Sequence, residues 1–280
     1  MGYGVRSAGA FSACCVLCFA LPSLLLAVVL IPFAPSSATG DVAESFPTTL
    51  VRPIRVAERH LLLFLGSRGR INDLQGVAVV RLKENDDPDT DADDPVVTVY
   101  GVNSGAGDLL YTRSLSSVAA FGNAEDHRAG FLRAHGIAAD PDGHVFVADT
   151  GNGRVVHLLN RGGMQFLGSL GEGRLASPFG VAVDRGGRLY ITDPPVNRLH
   201  ITDYEGNQCA PPIEIPSPTG IAVSDSAETW SFPKEDAAYV VCRDSAEIRK
   251  LGEHGKVLAR AISQDIAGHP GARFTYLALD

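Results

Sequence analysis

The chain has 280 residues, 45% of them hydrophobic and 20% charged, and its 24 Lys and Arg against 32 Asp and Glu leave a formal net charge of −8. This length supports one sizeable domain. The acidic balance argues against a phosphate-backbone partner, which needs a concentrated basic surface, so no nucleic acid is expected.

Arg6 is the single charge in Met1–Gly40, and an almost uncharged apolar run extends from Ala8 to Ala34, broken by Pro22. With Ser36-Ser37-Ala38 as a small-residue cleavage site, residues 1–40 have the pattern of a secretory signal peptide. About 20 apolar residues also suffice for an uncleaved signal anchor. Either form makes residues 41–280 one exported domain, secreted or held at a membrane only through this segment. Without Arg6 that domain keeps 23 basic and 32 acidic residues, a net charge of −9.

Beyond the leader, Phe64-Leu65-Gly66-Ser67 returns later as Phe166-Leu167-Gly168-Ser169, each 12 residues after an arginine, Arg52 and Arg154. Gly76, Asn103 and Asp108 follow at spacings of 27 and 5. The stretch from His135 to Gly171 then holds four short apolar runs, Gly136–Ala139, Val145–Ala148, Val155–Leu159 and Met164–Leu167. Asp-Pro-Asp-Gly, Thr-Gly-Asn-Gly and Asn-Arg-Gly-Gly separate them, all of them turn sequences. Four strands so closely joined make an antiparallel meander. Such a sheet cannot bury both faces alone, so sibling copies must stack beside it.

The copies are present. In Ser177–Asp203, Gly180, Asp193 and Arg198 repeat the 13 and 5 spacings of Gly136, Asp149 and Arg154. Gly220, Asp244 and Arg249 form a third set at 24 and 5. A period of roughly 40 residues with four strands per unit predicts an all-β chain, a β-propeller of four-stranded antiparallel blades. At the end of the chain, Thr275–Asp280 aligns with His135–Asp140, a first strand alone. Paired with a strand from Phe46–Leu65, it would complete a composite blade and cover the ring's edges. Four whole blades and that one give about five; the alternative is an incomplete six-bladed ring.

The segments FGVAVD, DPDGHVFVADTGNGRVV and RGGRLYITDPPVNRL resemble NHL repeats, in which a glycine-valine-alanine strand is followed by D-x-x-N-x-R. The resemblance is close over Gly136–Arg154, fair over Gly180–Arg198 and weaker in the outer copies. It implies a propeller, typically six-bladed, that serves as a binding module for protein or peptide.

In that register the turns after second strands and before first strands share one face around the channel. His135, Asp149, Asn152, Arg154, Asp193, Arg198, Asp244 and Arg249 are the candidate ligand-binding residues there, because every blade supplies polar groups to one concave mouth. The Asp…Arg pairs have a second reading, as braces of turns and neighbouring blades. Two insertions project from the opposite face. One carries Asp87, Asp89, Asp91 and Asp93, hard oxygen donors that could hold Ca²⁺, although the glycine and glutamate of an EF-hand loop are missing. The other carries Trp230, Phe232 and Pro233, a possible partner anchor.

No catalytic residue is assigned, and no cofactor is expected apart from that calcium candidate. A similar propeller, the lyase domain that matures amidated peptides, binds zinc through three histidines, two at first-strand positions. His135 matches one, but its counterparts are Gln75, Pro178 or Phe179, and Pro218 or Thr219. A metal-dependent lyase or hydrolase is therefore the runner-up, and a truncated structural fragment the third reading. In the repeat register Cys242 lies on a second strand and Cys209 near the outer strand of the preceding blade. Two separate buried thiols are expected, though an exported compartment would permit a disulfide.

Overall fold

The computed structural model describes residues 14–19, 27–32, 71–85, 97–114, 117–122, 130–224, 236–252, 255–262 and 278–279. Two strands, β1 (Cys14–Phe19) and β2 (Ala27–Pro32), form an antiparallel pair. Four blades follow. Blade 1 contains β3 (Leu74–Val80), β4 (Thr98–Asn103), β5 (Asp108–Ser114) and β6 (Ser117–Phe121). Blade 2 contains β7 (Ile137–Ala139), β8 (His144–Asp149), β9 (Arg154–Asn160) and β10 (Met164–Leu170). Blade 3 runs through β11 (Val181–Val183), β12 (Leu189–Asp193), β13 (Arg198–Thr202) and β14 (Gln208–Glu214). Blade 4 runs through β15 (Pro218–Ser224), β16 (Ala237–Cys242), β17 (Glu247–Leu251) and β18 (Val257–Ile262).

The first strands β3, β7, β11 and β15 contact one another in that order, which stacks the blades face to face as a propeller. The four strands expected over residues 136–167 are all present, each within three residues of its expected ends. A final strand, β19 (Ala278–Leu279), lies beside β15 and pairs with β1 at Cys15↔Leu279 and Val16↔Ala278. A fifth, three-stranded sheet is thus assembled from both ends of the chain, in the order β19-β1-β2. The partner of the last strand comes from residues 14–19, whereas the sequence points to Phe46–Leu65, a region outside the described residues. No helix among the described residues is long and apolar enough to cross a membrane.

The blades owe their meander to short turns with explicit chemistry. Between β7 and β8, Asp140 accepts the His144 N–H on its side chain at 2.9 Å, and Gly143 takes φ +89°. Asp184 does the same for the Arg188 N–H at 2.9 Å, with Gly187 at φ +77°. A positive φ suits glycine because it has no Cβ, while an aspartate carboxylate satisfies the turn's exposed N–H.

Three apolar layers fill the spaces between blades. Tyr100, Leu109, Val145, Val147, Val156 and Leu158 pack blade 1 on blade 2. Phe146, Val155, Leu170, Leu175, Leu189 and Ile191 pack blade 2 on blade 3. Leu199, Ile221, Val240 and Leu251 pack blade 3 on blade 4. Strand alternation decides the split, since consecutive residues of one strand face opposite neighbours.

Candidate functional site

Glycine sets the distance between blades. A Cβ added to Gly76, Gly136 or Gly180 would lie 2.4, 2.6 or 2.3 Å from the carbonyl oxygen of His135, Phe179 or Thr219 respectively. Side chains do not approach a carbonyl so closely, so the first strands meet backbone to backbone. The Gly76 N–H donates to His135 O and the Gly136 N–H to Phe179 O, both at 2.8 Å. Each accepting residue stands just before the next blade's glycine. Gln75, His135, Phe179 and Thr219 therefore occupy equivalent places in successive blades.

Two of these four form a defined pair. The His135 ring stacks on Phe179 with centroids 4.3 Å apart. Its Nδ1 lies 2.9 Å from Thr150 Oγ1, and that hydroxyl donates to Pro178 O at 2.7 Å. A hydroxyl has one proton, so Nδ1–H of His135 is the donor to Thr150 and Nε2 keeps its lone pair. Burial holds the His135 pKa below its ordinary value, so the ring is neutral at neutral pH. Thr150 belongs to the turn after β8, and this contact joins that turn to the segment before β7, on one face as the repeat register implies.

The Asp…Arg residues fall into three different arrangements. In blade 2, Asp149 is fully buried. Its Oδ1 accepts the Leu132 N–H, and its Oδ2 accepts Asn152 Nδ2 and Arg154 Nε, each at 2.8 Å. Arg154 also donates to Ser169 Oγ and Gly130 O, both at 3.2 Å. This network ties the loop ahead of β7 to β9 and β10. It is a brace, and it engages all three polar side chains of the D-x-x-N-x-R stretch internally.

Blade 3 repeats only half of it. Asp193, fully buried, accepts the N–H groups of Ala176 at 2.7 Å and Ser177 at 2.9 Å. Arg198 faces Asp193 across the ladder but is exposed and makes no ion pair with it. In blade 1, Asn103 takes the acidic residue's place. It accepts the Asn72 N–H and donates to Asp108, both at 2.7 Å. The shared function of this position is to capture a backbone N–H from the loop that enters the same blade.

Blade 4 departs from the spacing expected of it. The ladder pairs Cys242 with Glu247 where blade 2 pairs Asp149 with Arg154 and blade 3 pairs Asp193 with Arg198. Asp244 and Arg249 are two residues further on. Asp244 sits in the exposed turn, where its carboxylate accepts the Ser217 hydroxyl, and Arg249 pairs with Glu247. The apparent spacing of 5 is a coincidence of sequence: the apolar, buried Cys242 occupies the acidic position. Cys209 and Cys242 are both free thiols; Cys242 is buried, but Cys209, expected to be buried as well, is exposed because it lies on the outer strand β14.

A cluster that the repeat pattern does not single out lies at the far end of blade 2, against blade 3. His144 Nδ1 and His157 Nε2 are 2.8 Å apart, and Tyr204 donates to Asp140 at 2.7 Å. Phe146 stacks on His157 at 4.4 Å. Burial, and then the neighbouring His144, pushes the His157 pKa down to about 4. Burial, and then the bond to Asp140, pushes the Tyr204 pKa up. The β8–β9 ladder brings His144 and His157 together within blade 2, and the tertiary approach of Tyr204, 60 residues after His144, completes the group.

The calcium candidates Asp87, Asp89, Asp91 and Asp93 and the Trp230 loop lie outside the described residues. Among the described residues no group of three or more His, Cys, Asp or Glu side chains could hold a metal ion. At the four equivalent places before the glycines, His135 is the single imidazole, which does not fit a three-histidine zinc site.

Residues 131–158 match the NHL repeat family. No curated protein matches the sequence. Among solved structures, a virginiamycin B lyase from Staphylococcus aureus is similar at 12% identity and a TM-score of 0.51, over 89% of this chain and 66% of the lyase. A catalytically inactive form of that lyase with quinupristin gives 11% and 0.52, over 95% of this chain and 74% of the other. A chain of a nidogen/laminin complex gives 11% and 0.55, over 95% of this chain and 98% of its own. At these identities the likeness is one of fold.

Proposed function

We propose that this propeller, which carries an NHL repeat at residues 131–158, is a binding module for a protein or peptide, taken up at the channel mouth around His135. The observation that carries the reading is the His135–Phe179 stack. It presents an aromatic surface beside a neutral imidazole, an amphipathic combination suited to a peptide side chain and its amide. The similar nidogen/laminin chain, from a complex of two proteins, is consistent with this use. The apolar segment at residues 1–40 supports export, either secreted or tethered to a membrane. N-terminal sequencing of the exported protein separates the two forms: a new N-terminus near residue 38 means cleavage, and retention of residues 14–19, which carry β1, means an uncleaved segment.

Selection of binders from a displayed peptide library tests the site. Peptides bound by the native protein should be lost with His135→Ala and Phe179→Ala and retained when residues 87–93 are deleted. The reverse pattern puts the site on the opposite face. A metal-dependent lyase or hydrolase is the second reading, supported by the fold likeness to virginiamycin B lyase. Stoichiometric zinc, calcium or magnesium in purified protein, lost with His135→Ala, would favour it.

A further inference from the structure

Strand β13 breaks a rule that its counterpart in blade 2 obeys. Arg154, Val156 and Leu158 of β9 face blade 1, and the two apolar residues are fully buried. The ladder register places Arg198, His200 and Thr202 of β13 at the same three positions, facing blade 2. Alternation sends the intervening Leu199 to the layer against blade 4. Two polar side chains thus stand where a propeller interior is filled with valine and leucine.

The result is a cavity of about 380 Å³ between blades 2 and 3. Its lining combines the apolar Leu170, Leu175, Ile191 and Pro212 with the polar Arg174, Arg198, His200, Thr202 and Gln208. His200 Nε2 and Thr202 Oγ1 are buried and have no hydrogen-bond partner. The nearest acid to His200, Asp193, is 3.9 Å away, too far for a hydrogen bond, and its oxygens are engaged by Ala176 and Ser177. Arg174 holds Gly206 O at 2.9 Å, which fixes its guanidinium at the cavity's edge. Buried polar atoms are ordinarily satisfied, and two orphans on residues that line one cavity with two arginines ask for an occupant whose arrival turns these side chains toward it.

We propose that this cavity binds a small monocarboxylate with an apolar body. Arg198 supplies the charge, with planar donors that match a carboxylate. His200 and Thr202 complete its hydrogen bonds, and the leucine and isoleucine side chains take the hydrocarbon. A dianion such as phosphate is disfavoured, because it brings twice the charge of a monocarboxylate near the buried Asp193 and leaves the apolar side chains uncovered. The site is separate from His135, which engages Thr150 and Phe179.

Phenylacetate is the probe, followed by NMR and calorimetry. It should bind saturably below about 10 mM, with the His200 pKa rising as the anion arrives. Phenylacetamide and inorganic phosphate should each bind at least about tenfold more weakly. Arg198→Met should cost about tenfold in phenylacetate affinity. Thr202→Val should weaken binding while leaving the thermal midpoint unchanged or raised, since it removes an orphaned hydroxyl; that separates loss of the site from loss of the fold. Absence of saturation, phosphate binding as well as phenylacetate, or affinity indifferent to both substitutions overturns the proposal.

Discussion

Asp149 accepts the backbone N–H of Leu132 at 2.8 Å, and through that bond a fully buried carboxylate fastens a loop 17 residues earlier in the chain. The same carboxylate holds Arg154. Leu132 lies ahead of the first strand of blade 2 and Arg154 opens its third, so one side chain joins two parts of the blade that no ladder connects.

Replacing Asp149 by alanine leaves the buried Arg154 guanidinium without its counter-charge and the Leu132 N–H without an acceptor. Removal of one partner of a buried pair costs about 3–5 kcal/mol. Urea denaturation of Asp149→Ala should show a loss of that size, with Asn152→Ala losing about 1 kcal/mol. Equal losses would mean that the ion pair adds nothing beyond a hydrogen bond.

Gly180 is the tightest of the blade contacts, with a Cβ there 2.3 Å from Thr219 O. Gly180→Ala should therefore destabilise by roughly 1–3 kcal/mol through overpacking, whereas Gly168→Ala, where nothing lies within 4 Å, should be nearly silent. Chemical melts of the two variants side by side make the comparison.

Stability should fall on acidification through the His144–His157 pair. The His157 pKa is lowered on folding from 6.5 to about 4, so below pH 6.5 the unfolded chain binds a proton that the folded one refuses. Stability is full above about pH 6.5 and declines as pH falls toward about 4. His157→Gln should flatten that part of the profile. An unchanged slope in the variant would assign the decline to other groups.

The two thiols of the propeller should react very differently. Cys209 is exposed, while Cys242 is buried and its pKa is pushed up to about 11 by burial. A thiol reagent should label Cys209 promptly in the native protein and Cys242 only on unfolding.

Blade architecture was legible because turn sequences and glycine spacing are local. The Asp-Pro-Asp-Gly turn and the 13-residue step from glycine to aspartate each correspond to one observed turn or ladder. Spacing misled in blade 4, where Asp244 and Arg249 reproduce the step of 5 from inside a turn, and the ladder instead aligns Cys242 with Glu247. Sequence also grouped Arg198 with His135. Residue type alone does not reveal that Arg198 lacks the bond to its aspartate that Arg154 has. The approach of Tyr204 to His144 and His157 depends on how two blades stack, which no local pattern records.

Backbone contact at Gly76, Gly136 and Gly180 holds the inter-blade distance independent of the residue before each glycine. Spacer and letter are thereby separated: the glycine keeps the gauge of the ring, and the neighbouring position varies freely, here Gln75, His135 and Phe179, which are partly exposed, and Thr219, which is buried. Changing the three partly exposed letters should alter the surface around the channel while the ring's architecture stays as it is.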